Sequence, residues 1–456
     1  MGPARFGTDG VRGVANDELT AELALALGRA AARILPAPTF VVGRDTRRSG
    51  PLLQAAFSAG LATEGADVID LGVLPTPGVA AVAETRKVPG AVSSASHNPF
   101  GDNGIKLFSL QGTKLPLDVE AEIERELDAI LSDPDRPPRR PTGYGVGQIT
   151  AEPDAAQLYL DHLVATTEGR RLAGLRVVID CAHGAASEIA PRALEALGAD
   201  LVALHHTPDG VNINEKCGST DPGELARAVV ERGADLGLAF DGDADRVIAV
   251  DHRGTVVDGD VLLALFALDL AARGRLAANT VAVTVMTNLG FRLAMEARGI
   301  AVLETDVGDR HVLAALDADG LSLGGEQSGH IIFRSLSTTG DGILTGIALA
   351  DLMLRAGRSL AELAGGLVER VPQRLVNVPI PQPERLAGCA EVWEAVATLE
   401  AQLGHEGRVL LRPSGTEPVV RVMVEARDEA QANAVAAQLA GAVEAALGQI
   451  EPQAPK

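Results

Sequence analysis

Aromatic residues are scarce in this chain, at 3% of 456 residues, and only one of them is tryptophan. That leaves few stacking platforms for a single-stranded nucleic acid. Positive charge is also in deficit: 40 Lys and Arg against 61 Asp and Glu leave a formal charge of -21. Such a surface repels phosphate backbones and anionic membranes, so neither nucleic acid nor membrane is an expected partner. The three cysteines, Cys181, Cys217 and Cys389, are odd in number and far apart, which suggests neither a disulfide framework nor a zinc site. No apolar run reaches membrane-spanning length, and the opening residues carry no apolar signal region, so a cytoplasmic enzyme is expected. An acidic protein can still bind phosphate where its Arg and Lys converge.

The length allows two to four domains. Apolar periodicity predicts a helix over Asp17–Leu35, with Leu19, Leu23, Leu27 and Ala31 on one face. A strand over Thr39–Gly43, a helix over Leu52–Glu64 and a strand over Ala66–Leu71 continue a βαβ rhythm, which implies a mostly parallel sheet covered by helices. The charged, proline-rich stretch 133–141 breaks the pattern. The expected division is an α/β domain at 1–150, a second at 151–250, a third at 251–370 and a smaller α+β domain at 371–456. Trp393 and the aliphatic stripes read as core, and Cys181 as a buried strand cysteine. His205-His206 has no third ligand at useful spacing, so no metal is expected there.

Four loops carry chemistry. In Val92-Ser93-Ser94-Ala95-Ser96-His97-Asn98-Pro99 an apolar strand ends in a hydroxyl, an imidazole and an amide, and Pro99 keeps Asn98 out of helical geometry. Ser96 should sit on an exposed loop at a strand end, where α/β proteins keep their reactive groups. Asp241-Gly242-Asp243-Ala244-Asp245-Arg246 spaces three carboxylates at alternate positions. Hard oxygen donors suit magnesium or calcium, but Arg246 and His252 stand where an EF-hand needs glycine and glutamate. Magnesium fits better than calcium, and a solvated acidic turn is the plainer alternative. Gly325-Glu326-Gln327-Ser328-Gly329-His330 is a polar loop between apolar strands, though a simple hairpin would look much the same. Arg412-Pro413-Ser414-Gly415-Thr416-Glu417, with Arg421, offers an anion nest and two cations without a Walker pattern. A hairpin bearing surface arginines is the alternative there.

In this order and at these distances, the loops resemble those of the α-D-phosphohexomutase superfamily. The resemblance runs from Phe6-Gly7-Thr8-Asp9-Gly10 to the Arg412 loop, and Gln327 resembles its glucosamine-phosphate branch. It implies three similar α/β domains plus a smaller C-terminal α+β domain around a central cleft. It also implies an isomerase, an intramolecular phosphotransferase, with phosphorylation at Ser96. That group would pass to glucosamine 6-phosphate, giving a bound hexose 1,6-bisphosphate that returns its other phosphate and leaves glucosamine 1-phosphate for UDP-N-acetylglucosamine and cell-wall precursor synthesis. By the same resemblance Mg2+ would be held by Ser96, Asp241, Asp243 and Asp245, with Arg246 stabilising the transferring group. His97 would support the phosphoserine, and Arg12, Lys106 and His330 are candidates for proton transfer. Glu326 and Ser328 would grip sugar hydroxyls, while Arg412, Ser414, Gly415, Thr416 and Arg421 would hold the phosphate that is not reacting. A bisphosphate of this kind would also serve as activator, and monomer or homodimer both fit. Asp306 stands where many relatives carry lysine; a carboxylate there should repel phosphate unless it turns away, or would instead attract the substrate amine. The alternatives are a phosphomannomutase/phosphoglucomutase with the same machinery and a non-catalytic phosphosugar-binding relative.

Overall fold

A computed structural model describes residues 6–7, 9–35, 37–133, 140–152, 154–414 and 418–448. It divides into two compact units, one made of residues 1–284 and 300–367, the other of residues 285–299 and 368–456.

The first unit holds three sheets. In the seven-stranded one the spatial order is Phe6–Gly7, Gly10–Val14, Asp102–Phe108, Gly90–Ser93, Thr39–Arg44, Asp67–Val73 and Ile149–Ala151. Its middle is parallel: Thr39–Arg44 runs with both Asp67–Val73 and Gly90–Ser93. Helices Ala21–Ile34 and Gly50–Thr63 pack beside one another, with Leu27, Leu53, Phe57 and Leu61 almost wholly buried. Burying such side chains contributes roughly 1.5–3 kcal/mol each. Gly28 permits the approach, since a Cβ there would lie 2.1 Å from the Phe57 carbonyl oxygen. The first helix begins four residues later than its apolar stripe suggests. Thr20 accepts from Leu23 N and caps it, while the amides of residues 17–19 turn back onto Val14.

The second sheet is ordered Val256–Val257, Val247–Asp251, Leu236–Phe240, Arg176–Asp180, Asp200–Leu204, and the third Ala301–Thr305, Thr280–Thr284, Leu323–Gly325, Ile331–Phe333. One arrangement recurs in all three. Gly90–Ser93, Leu236–Phe240 and Leu323–Gly325 each run parallel to one neighbour and antiparallel to the next strand in the chain. The connection between that antiparallel pair is residues 94–101, 241–246 and 326–330 respectively. The Ser96, Asp241 and Glu326 loops therefore occupy equivalent places in three α/β domains.

The second unit is a three-stranded antiparallel sheet ordered Gln373–Pro379, Val419–Glu425, Arg408–Pro413, packed against helices Ala390–Leu403 and Glu429–Leu447. Helix Leu289–Glu296 belongs to it: Glu425, wholly buried, accepts from Asn288 Nδ2 at 2.8 Å and from Leu289 N. Trp393 is not core, contrary to expectation. It is 41% exposed, because its indole N–H reaches out to cap the Leu386 carbonyl.

Candidate active site

Ser96 is 1% exposed and lies at φ +52°, so the expected exposed loop is a covered one. Backbone carbonyls explain the difference. The loop turns those of Ser96 and Asn98 inward, where Arg47 Nη2 donates to both at 2.9 and 2.8 Å. Asn214 Nδ2 donates to the same two oxygens at 2.9 and 3.0 Å. Arg47 also reaches the Asp102 and Pro99 carbonyls, and its Nε pairs with Asp45. Asp45 in turn accepts from Ser94 Oγ, which accepts from Ser96 N. A non-glycine residue in the left-handed region costs about 1–3 kcal/mol and persists only where its surroundings over-determine it. Here they do.

The Asp241 loop lies directly against this turn. Ser96 Oγ donates to Asp241 Oδ2 at 2.6 Å. Gly242 permits the approach, since a Cβ there would stand 2.5 Å from the Ser96 carbonyl oxygen. Asp241, Asp243 and Asp245 are all buried, and each offers an oxygen within 4.8 Å of the others'. Burial, with the Asp245 and Asp243 charges beside it, pushes the Asp241 carboxyl well above the ordinary carboxylate range. Asp243 Oδ1 and Asp245 Oδ1 are buried without a hydrogen-bond partner. Buried oxygens are normally satisfied, so a crowded set with unspent lone pairs fits a hard divalent cation.

Cations surround the carboxylates. Lys106 Nζ lies 2.8 Å from Asp243, 2.9 Å from Asp9 and 3.5 Å from Asp245. Burial alone would lower its pKa, but these three charges raise it, so Lys106 is a fixed ammonium. Asp9 is desolvated too, yet Lys106, Lys114 and Arg12 hold its carboxyl well below the usual range. Thr76 Oγ1 donates to Asp243 at 2.5 Å. Arg246 N donates to Asp241, and its Nη1 lies 3.1 Å from His97 Nδ1. Arginine can only donate, so His97 accepts there and carries its proton on Nε2. Burial and the Arg246 and Arg12 charges lower the His97 pKa to about 4, leaving the ring neutral.

The Glu326 loop closes on itself through Glu326 N to the His330 carbonyl, and Val247 N donates to the Gly329 carbonyl next door. That ties it to the strand leaving Arg246. Glu326 accepts from Gly308 N at 3.2 Å, which places the exposed Asp306 close by in the chain. Ser328 Oγ, Arg12 Nε and Arg246 Nε are buried without hydrogen-bond partners. His330 Nε2 accepts from Gly340 N at 3.1 Å, so its proton sits on Nδ1, 3.6 Å from Asp245. Burial opposes a charge on His330, but Asp245 and Asp309 outweigh it and raise its pKa.

Ten of the expected residues, Arg12, Ser96, His97, Lys106, Asp241, Asp243, Asp245, Arg246, Glu326 and His330, thus share one network of contacts, with Ser328 on the same loop. The C-terminal loop stands on the second unit. Arg412 and Arg421 are directly opposite one another in the antiparallel pair, and Arg421 Nη2 lies 3.4 Å from Ser414 Oγ. Burial first, then the Arg421 charge, lowers the Arg412 pKa. Facing cations repel, and an anion between them relieves that. Gly415 and Thr416 lie outside the described residues. Arg47, Asn214, Thr76 and Asp9 were not anticipated as site residues, although Arg44-Asp45-Thr46-Arg47-Arg48 is a dense charge run at a strand end.

Comparison with known proteins covers almost the whole chain. Residues 3–133, 157–254 and 258–371 match phosphoglucomutase/phosphomannomutase alpha/beta/alpha domains I, II and III, and residues 375–442 match the C-terminal domain of that family. Phosphoglucosamine mutase of Corynebacterium efficiens is 52% identical over 448 residues, covering 96% of this chain and 98% of its own. A phosphoglucomutase/phosphomannomutase family protein from Burkholderia thailandensis superposes with a TM-score of 0.80 at 26% identity, covering 96% of this chain and 97% of its own. Aspergillus fumigatus N-acetylphosphoglucosamine mutase, solved with GlcNAc-6P and magnesium, has the same fold, with a TM-score of 0.68 at 18% identity over 97% and 96% of the two chains.

Proposed function

The chain belongs to the phosphoglucosamine mutases of the phosphoglucomutase/phosphomannomutase family, and from that membership we propose that it interconverts glucosamine 6-phosphate and glucosamine 1-phosphate through a phosphorylated Ser96. The observation that carries this reading is Ser96 Oγ, 2.6 Å from the buried carboxylate cluster. A hydroxyl so placed, held in a strained backbone, is positioned to give up and take back a phosphoryl group.

Asp241, Asp243, Asp245 and the Ser96 oxygen would hold Mg2+, which when bound neutralises phosphoryl charge. The substrate's O1 attacks the phosphorus of phosphoserine, the bond from phosphorus to Ser96 Oγ breaks, the O1 proton passes by way of the general base to Ser96 Oγ, and a hexose 1,6-bisphosphate results. After that intermediate reorients, Ser96 Oγ attacks the phosphorus at O6, and glucosamine 1-phosphate leaves. Arg246 stabilises the transferring group, and His97, neutral and fixed by Arg246, steadies the side chain that carries it. Three carboxylates hold the proton of Lys106, so Lys106 acts as charge. That leaves His330 for proton transfer, with Arg12, a guanidinium paired with Asp9, as a second fixed charge. Glu326 and Ser328 take sugar hydroxyls. Arg412, Ser414 and Arg421, with Gly415 and Thr416, take a phosphate.

No helix among the described residues is long and apolar enough to cross a membrane, consistent with work in the cytoplasm on a diffusible sugar phosphate. The test is turnover of glucosamine, glucose and mannose 6-phosphates with Mg2+ and a trace of hexose bisphosphate. Preference for the glucosamine compound is expected, with turnover abolished in Ser96→Ala while phosphosugar binding persists. Preference for glucose or mannose would overturn the substrate, and activity in Ser96→Ala would overturn the mechanism.

A further inference from the structure

A second cluster of ligand-type side chains lies in the same unit, outside the Asp241 loop. Strands Arg176–Asp180 and Asp200–Leu204 run parallel, with Asp180 opposite Leu204. Their ends therefore bring Asp180 beside His205, the next residue along. The chain returns with Cys217, immediately before the short turn Gly218–Thr220. Asp180 and Cys217 are wholly buried, and one ligand atom from each of Asp180, His205 and Cys217 lies within 4.8 Å of the others. His205 Nδ1 is 3.1 Å from Asp180 Oδ2, yet that nitrogen is buried without an aligned hydrogen bond. His205 Nε2 lies 3.5 Å from Glu224 Oε2, so the ring has two carboxylates within ion-pair reach. The ring of His183 meets that of His205 edge-on at 5.1 Å, and its Nδ1 is also buried and unpartnered.

We propose that Asp180, His205 and Cys217 form a metal site of the zinc class, with a water as the fourth donor. Ligand chemistry sets the class. A thiolate and an imidazole select zinc or a similar borderline cation over magnesium, whereas the Asp241 loop offers only hard oxygens. Tetrahedral zinc holds its ligand atoms about 3.3–3.8 Å apart; all three atoms lie within 4.8 Å, and the 3.1 Å between His205 and Asp180 would open slightly on binding. Asp180 also accepts from Ala182 N and Gly218 N, and these bonds fix the direction of its carboxylate.

The ion would staple three loops at one end of the second sheet. Those loops lead to the phosphoserine turn: Asn214 N donates to the Ala182 carbonyl while its side chain holds Ser96 and Asn98. Thr46 Oγ1 donates to the His183 carbonyl at 2.6 Å, and Ala185 N to that of Gly242. The site goes beyond the mutase reaction and is structural in role.

Cobalt tests it, because a cobalt–thiolate bond gives an intense near-ultraviolet charge-transfer band that oxygen ligands do not. The full-length protein is stripped with chelator, saturated with Mg2+ and given equimolar Co2+. The band is expected in the wild type and lost in Cys217→Ala; zinc is expected to raise the Tm of the wild type alone. His205→Gln, at a partly exposed position, provides the same comparison if Cys217→Ala does not fold. Absence of the band in the wild type, or its full retention in both variants, overturns the proposal.

Discussion

Arg47 Nη2 lies 2.9 Å from the carbonyl oxygen of Ser96, underneath the residue that carries the proposed phosphoryl group. One planar guanidinium thereby sets the direction of the Ser96 side chain without touching it.

Arg47→Lys keeps the charge but loses the fork, which lysine cannot reproduce. Displacing a reacting atom by about 1 Å can cost on the order of a hundredfold in rate. The expected result is a kcat lower by roughly ten- to a hundredfold with KM changed far less. Steady-state kinetics decide it, and an unchanged kcat would remove Arg47 from this role.

Asp341 carries a pH signature of its own. Its carboxylate accepts from Tyr159 OH and caps the helix at Leu344 N, and burial raises its pKa from 3.8 to about 6. A group raised in the folded state contributes stability that is present below its unfolded pKa and lost as pH rises through its folded value. Stability should therefore fall as pH climbs through about 6, by up to about 3 kcal/mol from this residue. Asp341→Asn cannot ionise, so its Tm should gain on the wild type across that window. Parallel melting profiles on both sides of it would refute the assignment.

Arg412→Ala removes one of two facing cations. The KM for the sugar phosphate should rise about ten- to a hundredfold, the worth of a charge-assisted hydrogen bond. Without ligand the variant should melt no lower than the wild type, because the repulsion with Arg421 is gone. A lower Tm together with an unchanged KM would show a structural arginine.

Asp306→Ala tests an exposed carboxylate two residues from Gly308, whose N–H donates to Glu326. If the carboxylate draws the substrate amine, kcat/KM should fall roughly two- to fivefold for glucosamine 6-phosphate, as for an exposed ion pair. Glucose 6-phosphate should be spared. Equal losses for both sugars would end the idea.

The alternation of elements and the four chemistry-bearing loops are legible in the chain because each depends on local pattern. The βαβ rhythm comes from apolar periodicity, and helix Gly50–Thr63 falls close to the stretch 52–64 that its pattern marks. Asp241, Asp243 and Asp245 stand out because three carboxylates at alternate positions serve little purpose unless they converge. What is not legible arises from contacts between distant segments. The burial of Ser96 depends on Arg47 and Asn214, 49 and 118 residues away. The approach of Asp180 and Cys217 to His205 depends on parallel strand ends, which linear spacing cannot show. Trp393 shows the opposite failure: its apolar ring predicts burial, but the Leu386 carbonyl, which also accepts from Cys389 N, gives its N–H a partner while the ring stays partly exposed.

The three loops between a parallel strand and its antiparallel neighbour have a consequence for inheritance. Each hangs from a strand pair whose register is set by backbone bonds, so its residues can change without re-registering a sheet. Under the proposed roles, a change of sugar specificity written at Glu326, Gln327, Ser328 or Asp306 leaves the Ser96 and Asp241 loops untouched.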